Sequence, residues 1–122
     1  SSRAECVLRM NACDLFALPS HSEGSPQALK EAMACNCPIL ATDIADVRTL
    51  LGDLAGHYIL RNPRKTHERW DADEKSLHEM TELLQEALQF SGRTNGRERI
   101  QEMGLSNDQV VEQLIAIYQS LV

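Results

Sequence analysis

Residues 14–42, DLFALPSHSEGSPQALKEAMACNCPILAT, decide the fold. Two apolar runs of strand length, residues 14–19 and 38–42, enclose a longer segment of mixed polarity. Continuous apolarity over so few residues is typical of a parallel strand that is covered by helices on both faces. Parallel neighbours need a crossover connection, and the enclosed segment is long enough to supply one. The stretch therefore predicts a strand–helix–strand unit.

The segment between the two runs carries the signals of a helix start. Pro26 suits the first helical position, where its missing N–H would have no partner, and Ser25 precedes it as the expected N-cap. Leu29, Ala32 and Met33 then fall on one side of the helix. We expect this side to face the sheet.

The order of elements predicts an α/β fold. A helix is expected at residues 3–12, and a weaker apolar run at 57–60 predicts a third strand. Alternating strands and helices indicate a doubly wound parallel sheet, which usually has about six strands. We therefore expect residues 1–122 to be a single partial domain: half of a Rossmann-like sheet of about three strands, with flanking helices and a helical C-terminus. The strand at 14–19 is too apolar for an edge, so we expect it to be central in a complete domain, with earlier strands of that domain absent from this chain. Without them, we expect the chain to self-associate through this strand.

Residues 61–74 are markedly polar, basic at first and then acidic. We interpret them as a solvated loop in which Trp70 is the only large apolar anchor. An anionic ligand or a lipid surface is the alternative for the basic part.

Three more helices are predicted after this loop. Ser76 with Glu79, and Ser106 with Gln109, have the spacing of a capping box, in which each residue's side chain bonds the other's backbone N–H. A shorter helix is expected between them, at residues 97–103. The C-terminal part of the chain is therefore expected to be helical.

Composition narrows the class of protein. The net charge is −6, so a uniformly basic surface for nucleic acid is excluded and we expect no nucleic-acid partner. No apolar run approaches the roughly 18 residues of a membrane span, and we expect a cytoplasmic protein. Cys-x-Cys is not a usual zinc spacing, so small buried thiols are the favoured interpretation of the four cysteines. The four are Cys6, Cys13, Cys35 and Cys37.

The loop between the first strand and its helix is the candidate site. In doubly wound sheets ligands bind beyond the carboxyl ends of the strands, where helix N-termini attract anions. Gly24 lets the backbone approach a ligand closely, while Glu23 and Glu31 could accept hydrogen bonds from a sugar and a ribose. A nucleotide sugar combines phosphate, ribose and sugar. The alternative is that a loop glutamate and a helix-surface glutamate are a commonplace pair without shared function.

Residues 12–43 resemble the donor-site signature of the group 1 (family 4) glycosyltransferases, which have the GT-B fold. The family pattern is a D-x-x-x-x-P-S strand, then E-G-x-P-x-x-x-x-E-A-M-A, then x-G-x-P-V-V-A-T. The matching residues are Asp14, Pro19, Ser20, Glu23, Gly24, Pro26, Glu31, Ala32, Met33, Ala34, Pro38, Ala41 and Thr42. The resemblance covers about a third of the chain closely, and implies that the chain is the C-terminal, donor-binding part of such an enzyme.

The resemblance also implies roles for single residues. Glu23 corresponds to the first family glutamate, which contacts the transferred sugar, and is the expected catalytic residue. Glu31 corresponds to the second, which binds the nucleotide ribose. The segment of Gly24, Ser25 and Pro26 would set backbone N–H groups against sugar hydroxyls and the distal phosphate. The other expected donor-binding residues are Ser20, His21 and Thr42.

The reaction that the resemblance implies is sugar transfer from a nucleoside diphosphate sugar, with retention of anomeric configuration and without a metal or other cofactor. The diphosphate leaving group then needs positive charge from Arg, Lys and helix dipoles. In the family a basic pair upstream of the residues present here supplies that charge, and a separate N-terminal domain binds the acceptor.

Partners and location follow from the same resemblance. The acceptor is expected to be an unknown sugar or lipid-linked sugar, with a role in surface polysaccharide or glycoconjugate synthesis and peripheral association of the full-length enzyme with the inner face of the membrane. A non-catalytic α/β interaction module that retains the glutamate motif as a scaffold is the alternative.

Two departures from the family pattern stand out. The usual glycine before the second strand is Asn36, which also tolerates a left-handed backbone. Many members have Gly-Gly after the second strand, whereas this chain has Ala45 and Asp46. That loop is expected close to the donor, so the base or sugar preference is open.

Overall fold

The computed structural model describes residues 2–61, 65–66, 69–70 and 74–121, with backbone alone at 65–66 and 69–70. Its larger sheet has three parallel strands in the order β1-β2-β3, and a two-stranded antiparallel ladder joins β4 to β5. The elements are α1 (Arg3–Ala12), β1 (Phe16–Leu18), α2 (Gln27–Ala34), β2 (Ile39–Thr42), α3 (Val47–Leu51), β3 (His57–Leu60), β4 (Lys65–Thr66), β5 (Arg69–Trp70), α4 (Glu74–Gln89), α5 (Gly96–Glu102) and α6 (Asn107–Ser120).

The predicted α/β class is confirmed, with three parallel strands, flanking helices and a helical C-terminus. Phe16 pairs with Ile39, which in turn pairs with His57, so the carboxyl ends of the three strands lie at one edge. The crossovers through α2 and α3 make this parallel arrangement possible. Each crossover helix ends at the opposite edge, before the next strand begins.

The core lies where α2 and α3 cover β2. Leu29, Ala32 and Met33 have no exposed surface, as their spacing predicted, and all four residues of β2 are buried. β1 is shorter and more exposed than predicted: it starts at Phe16, and Ala17 is exposed. Among the described residues β1 pairs with β2 alone, so one of its sides has no neighbouring strand in the sheet.

Three arginines before and within α5 bind the C-terminal ends of the earlier helices. Arg93 donates to the carbonyls of α1 and α2, and Arg97 Nε donates to Ala34 O at 2.7 Å. Arg99 reaches the end of α3 through Thr49 O at 2.9 Å and Leu50 O at 3.2 Å. Helix C-termini carry unpaired carbonyls and partial negative charge, which cations stabilise. This cluster fastens the edge of the sheet that lies opposite the candidate site.

Two predictions about local structure were wrong. α4 begins at Glu74, so Ser76 lies inside the helix and is not its N-cap; Glu79 instead lies 3.9 Å from Lys75 one turn earlier. The stretch 61–74 is not an uninterrupted loop, because β4 and β5 form a short ladder within it. The anchoring role expected of the Trp70 side chain lies outside what the structure describes. The capping box of Ser106 and Gln109 is confirmed at the start of α6.

Apolar side chains remain exposed on several helices. Leu8 of α1 is 68% exposed and Leu88 of α4 is 60% exposed. α6 has no buried residue, although it carries a run of large apolar side chains. None of the described helices is long and apolar enough to cross a bilayer.

Candidate functional site

Two loops meet at the carboxyl edge of the sheet. The donor loop, residues 19–26, connects β1 to α2, and the β2–α3 loop, residues 43–46, connects β2 to α3. Because Leu18 and Ala41 are partners in adjacent parallel strands, both loops leave the sheet at the same level. This edge is where ligands bind in open α/β sheets.

Glu23 stands in the exposed part of the donor loop. The Ser20 hydroxyl donates a 2.8 Å hydrogen bond to Glu23 Oε1, so one carboxylate oxygen is held by the loop. Gly24 follows, and a Cβ built at this position meets nothing within 4 Å. His21 is exposed in the same loop. The loop thus presents a carboxylate beside backbone that a ligand can approach.

The start of α2 differs from the prediction. Pro26 is the N-cap, and it offers no side-chain hydrogen bond to the helix. Ser25, the predicted N-cap, instead donates its hydroxyl to Asp46 Oδ2 at 2.6 Å. A carboxylate is a stronger acceptor than a neutral group, which explains why the hydroxyl turns away from the helix. Pro26 has no N–H, so of the predicted backbone donors Gly24 and Ser25 remain.

Glu31 lies in the second turn of α2. Its side chain is 37% exposed, on the side of the helix away from the buried Leu29 and Met33. Arg3 of α1 approaches Glu31 Oε1 only to 4.0 Å, and such exposed pairs contribute little. The carboxylate therefore remains available as a hydrogen-bond acceptor. Glu23 precedes α2 and Glu31 lies within it, so both predicted residues belong to one loop–helix unit.

Thr42 has a different environment from the loop residues. It is only 3% exposed, and its hydroxyl donates to Leu18 O at 3.4 Å, which links the ends of β1 and β2. In this conformation its side chain supports the floor of the site. The donor contact expected of Thr42 remains a prediction.

The β2–α3 loop has an unusual backbone. Ala45 has φ +47°, in the left-handed region that glycine favours and where the family pattern often has glycine. Asp43 accepts a 2.5 Å hydrogen bond from Arg48, which raises the pKa of the Arg48 guanidinium. The positive charge of Arg48 is therefore partly balanced within the loop region itself.

Asp46 is the residue that the sequence did not single out as functional. Its Oδ2 accepts from Ser25, while its Oδ1 is buried and has no hydrogen-bond partner among the described residues. The replacement of the family's Gly-Gly by Ala45 and Asp46 was the available signal. The contact with Ser25, 21 residues away, could not be predicted from it.

Comparison with known proteins identifies the family of this chain. Residues 1–82 match the family model described as "Glycosyl transferases group 1". The chain belongs to this family. It is also 37% identical over 68 residues to the putative teichuronic acid biosynthesis glycosyltransferase TuaC of Bacillus subtilis (strain 168). That match covers 56% of this chain and 17% of the relative, so the chain spans only a small part of the relative's length. No solved structure gives a significant match.

The match to the group 1 glycosyl transferases includes both loops, α2 and the first half of α4. Asn36 has φ +54°, which confirms that it occupies the left-handed position where the family pattern has glycine. α5 and α6 lie beyond the matched residues. All of the predicted site residues fall within the part of the chain that carries the family pattern.

A groove of about 310 Å³ lies between β3 and α4, and no residue of the donor loop lines it. Its lining includes Arg61 and three carboxylates, and it contains none of the residues of the donor-site pattern at 12–43. We therefore do not assign the donor to it. The three carboxylates are Glu79, Glu82 and Glu86. Within the described ranges no three His, Cys, Asp or Glu side chains come together to hold a metal ion.

Proposed function

We propose that this chain is the donor-binding part of a retaining GT-B glycosyltransferase. The full-length enzyme takes a sugar from a nucleoside diphosphate sugar and transfers it to a sugar or lipid-linked acceptor. The observation that carries the proposal is that, in a group 1 chain, an exposed donor loop leads directly into α2, with Glu23 and Glu31 both on the solvent side. A scaffold alone would not require two carboxylates there.

The chemistry assigns separate tasks to the two glutamates. Glu31 accepts hydrogen bonds from the ribose hydroxyls and so contributes to affinity for the nucleotide. Glu23 contacts the transferred sugar, with its carboxylate held by Ser20. The backbone N–H groups of Gly24 and Ser25 meet the sugar and the distal phosphate, where the N-terminal end of α2 also favours negative charge. The reaction uses no metal, so further positive charge comes from residues of the enzyme beyond this chain.

The biological setting is proposed from the relative and the family. TuaC is named for teichuronic acid biosynthesis, which supports a role in surface polysaccharide synthesis. Nucleotide sugars are cytoplasmic metabolites, so we place the reaction in the cytoplasm, with the enzyme peripherally bound at the inner face of the membrane. The exposed apolar side chains of α1 and α6 are compatible with such contacts.

The test is a calorimetric titration of the full-length protein with UDP, GDP and their sugar conjugates. We expect at least one nucleotide to bind, and Glu31→Gln to weaken it about tenfold, because a hydrogen bond to a charged group contributes about 1.5–3 kcal/mol. Glu112→Gln is the matched control, since it removes the same charge from an exposed position of α6. A non-catalytic module would bind none of these nucleotides.

Glu23→Gln separates sugar contact from nucleotide binding. We expect it to lower the transfer rate much more than the affinity for the free nucleoside diphosphate, because the contact is to the reacting sugar. Equal losses of affinity for the free nucleotide and for the nucleotide sugar would contradict this role of Glu23.

A further inference from the structure

Asp46 joins the two loops of the candidate site. Its Oδ2 accepts a 2.6 Å hydrogen bond from the Ser25 hydroxyl, which links the donor loop directly to the β2–α3 loop. Ser25 directly follows Gly24 and directly precedes the N-cap of α2. The contact therefore lies at the point where the donor loop becomes helix.

The conformation of Ala45 and Asp46 is locally unfavourable in free energy. Asp46 is the N-cap of α3, a position where aspartate commonly accepts a hydrogen bond from its own helix, yet its side chain makes no such bond. Oδ1 is buried without a partner, and Ala45 holds a left-handed φ of +47°. Each of these features disfavours the folded state. Local strain of this kind is concentrated at functional sites, where the geometry it maintains is used.

We propose that Asp46 is a positioning residue for the nucleotide sugar. By fixing Ser25, it holds the backbone N–H groups of Gly24 and Ser25 in the direction that the donor requires. This role rests on the function proposed above. Because Oδ1 is buried and Oδ2 is bonded to Ser25, we expect Asp46 to act through Ser25.

The charge of Asp46 and its hydrogen bond to Ser25 have opposite effects on the affinity for the donor. A carboxylate close to a diphosphate repels it, whereas the bond to Ser25 favours binding by fixing the loop. Asn at position 46 would keep an oxygen that can accept from Ser25 and would remove the charge. Ala would remove both. The positioning role therefore requires that Asn preserve donor binding and that Ala weaken it.

The unchanged full-length protein is first titrated calorimetrically with UDP, GDP and their sugar conjugates. The ligand that it binds most tightly is then used to compare the variants. Asp46→Ala and Ser25→Ala should each weaken binding about fivefold. Because both remove the same contact, the double variant should be no weaker than either single variant. Asp46→Asn should remain within about twofold of the unchanged protein, and Ser25→Thr should bind more tightly than Ser25→Ala, since each retains the hydrogen-bonding group.

Asp53→Asn is the matched control. Asp53 is exposed beyond the C-terminal end of α3, so its replacement changes net charge equally without touching Ser25. It should leave affinity unchanged. Thermal unfolding of each variant identifies any that fails to fold, and the comparison of Ser25→Ala with Ser25→Thr tests the contact even if Asp46→Ala is unstable.

Two results would overturn the positioning role alone. They are additive losses in the double variant, or an Asp46→Asn protein that binds as weakly as Asp46→Ala. If Glu31→Gln weakens nucleotide binding while no substitution at positions 25 and 46 changes the affinity, the proposed function is supported and the role of Asp46 is refuted. If the unchanged protein binds no nucleotide, both fall together.

Discussion

Gly96, the first residue of α5, lies directly against the backbone of Met33 in α2. A Cβ built on Gly96 would stand 2.7 Å from the Met33 carbonyl oxygen and 2.9 Å from its Cα. Both residues are buried, and neither contact is with a flexible side chain that could move aside. The close approach of α5 to α2 therefore depends on glycine at this position.

Replacement of Gly96 by Ala should lower the free energy of unfolding by about 1–3 kcal/mol, because the added methyl group forces the two helices apart. Urea unfolding followed by circular dichroism measures the change. Gly24→Ala is the control: a Cβ there meets nothing within 4 Å, so the unfolding free energy should not fall. Equal midpoints for Gly96→Ala and the unchanged protein would show that α5 can shift without cost.

Arg93 should contribute to stability through three backbone carbonyls. Its guanidinium donates to Met10 O at 2.7 Å, Cys13 O at 2.9 Å and Cys35 O at 3.0 Å. Arg93→Met keeps most of the side-chain volume but removes the charged donors to these carbonyls, of which Met10 O keeps only a weak contact with the Cys13 thiol at 3.6 Å, so we expect a loss of about 2–3 kcal/mol. Arg9→Met removes an exposed arginine with no such contacts in the described structure and should change the unfolding free energy by under 1 kcal/mol. Similar losses in both variants would refute the assigned role.

His57 should make stability depend on pH. Burial lowers its pKa below the usual value, the hydrogen bond to Leu51 O at 3.1 Å opposes that shift, and the nearby charge of Arg99 adds to it. The unfolded chain therefore binds a proton more readily than the folded chain. The contribution is fully present above about pH 6.5 and is lost as the pH falls through the lowered folded pKa.

Unfolding midpoints between pH 7.5 and 5.5 test this dependence. His57→Asn retains a donor for Leu51 O but does not titrate, so its stability should vary less with pH than that of the unchanged protein. His78→Asn changes an exposed histidine of α4 whose Nε2 lies 3.2 Å from Glu82 Oε1; because exposed pairs contribute little, this variant should keep most of the pH dependence. Parallel pH profiles for all three proteins would show that His57 does not cause the effect.

Patterns that are local in sequence predicted much of the fold and of the candidate site. The spacing of Leu29, Ala32 and Met33 predicted the buried side of α2, because each position follows directly from helical geometry. The placement of Glu23 in a loop and Glu31 in the following helix was predicted in the same way, while their roles in donor binding remain predictions. These inferences needed no knowledge of distant contacts.

Contacts between distant residues could not be predicted. Ser25 was expected to cap α2, and only the fold brings Asp46 close enough to take its hydroxyl. The three carbonyls bound by Arg93 lie 58 to 83 residues away in the sequence, beyond the reach of any local pattern. α6 carries a run of large apolar side chains, but sequence alone does not say whether such side chains are covered, and its Leu114 is 50% exposed.

The free side of β1 should cause the 122-residue chain to self-associate. In a parallel pair, alternate residues direct both backbone groups toward the partner strand. Phe16 N donates to Pro38 O on the β2 side, so the N–H and C=O of Ala17 point to the side where the described sheet has no further strand. Unpaired edges of this kind recruit another chain.

Light scattering of the isolated chain should therefore give a mass of at least a dimer. Ala17→Pro removes the outward N–H but leaves the bonds to β2 intact, since proline is tolerated at a sheet edge, and should shift the chain toward monomer. Ala55→Pro is the control, because Ala55 is exposed in the turn before β3, away from this edge, and it should leave the mass unchanged. A monomeric parent chain, or an Ala17→Pro chain with the parent's mass, would show that β1 does not form the contact.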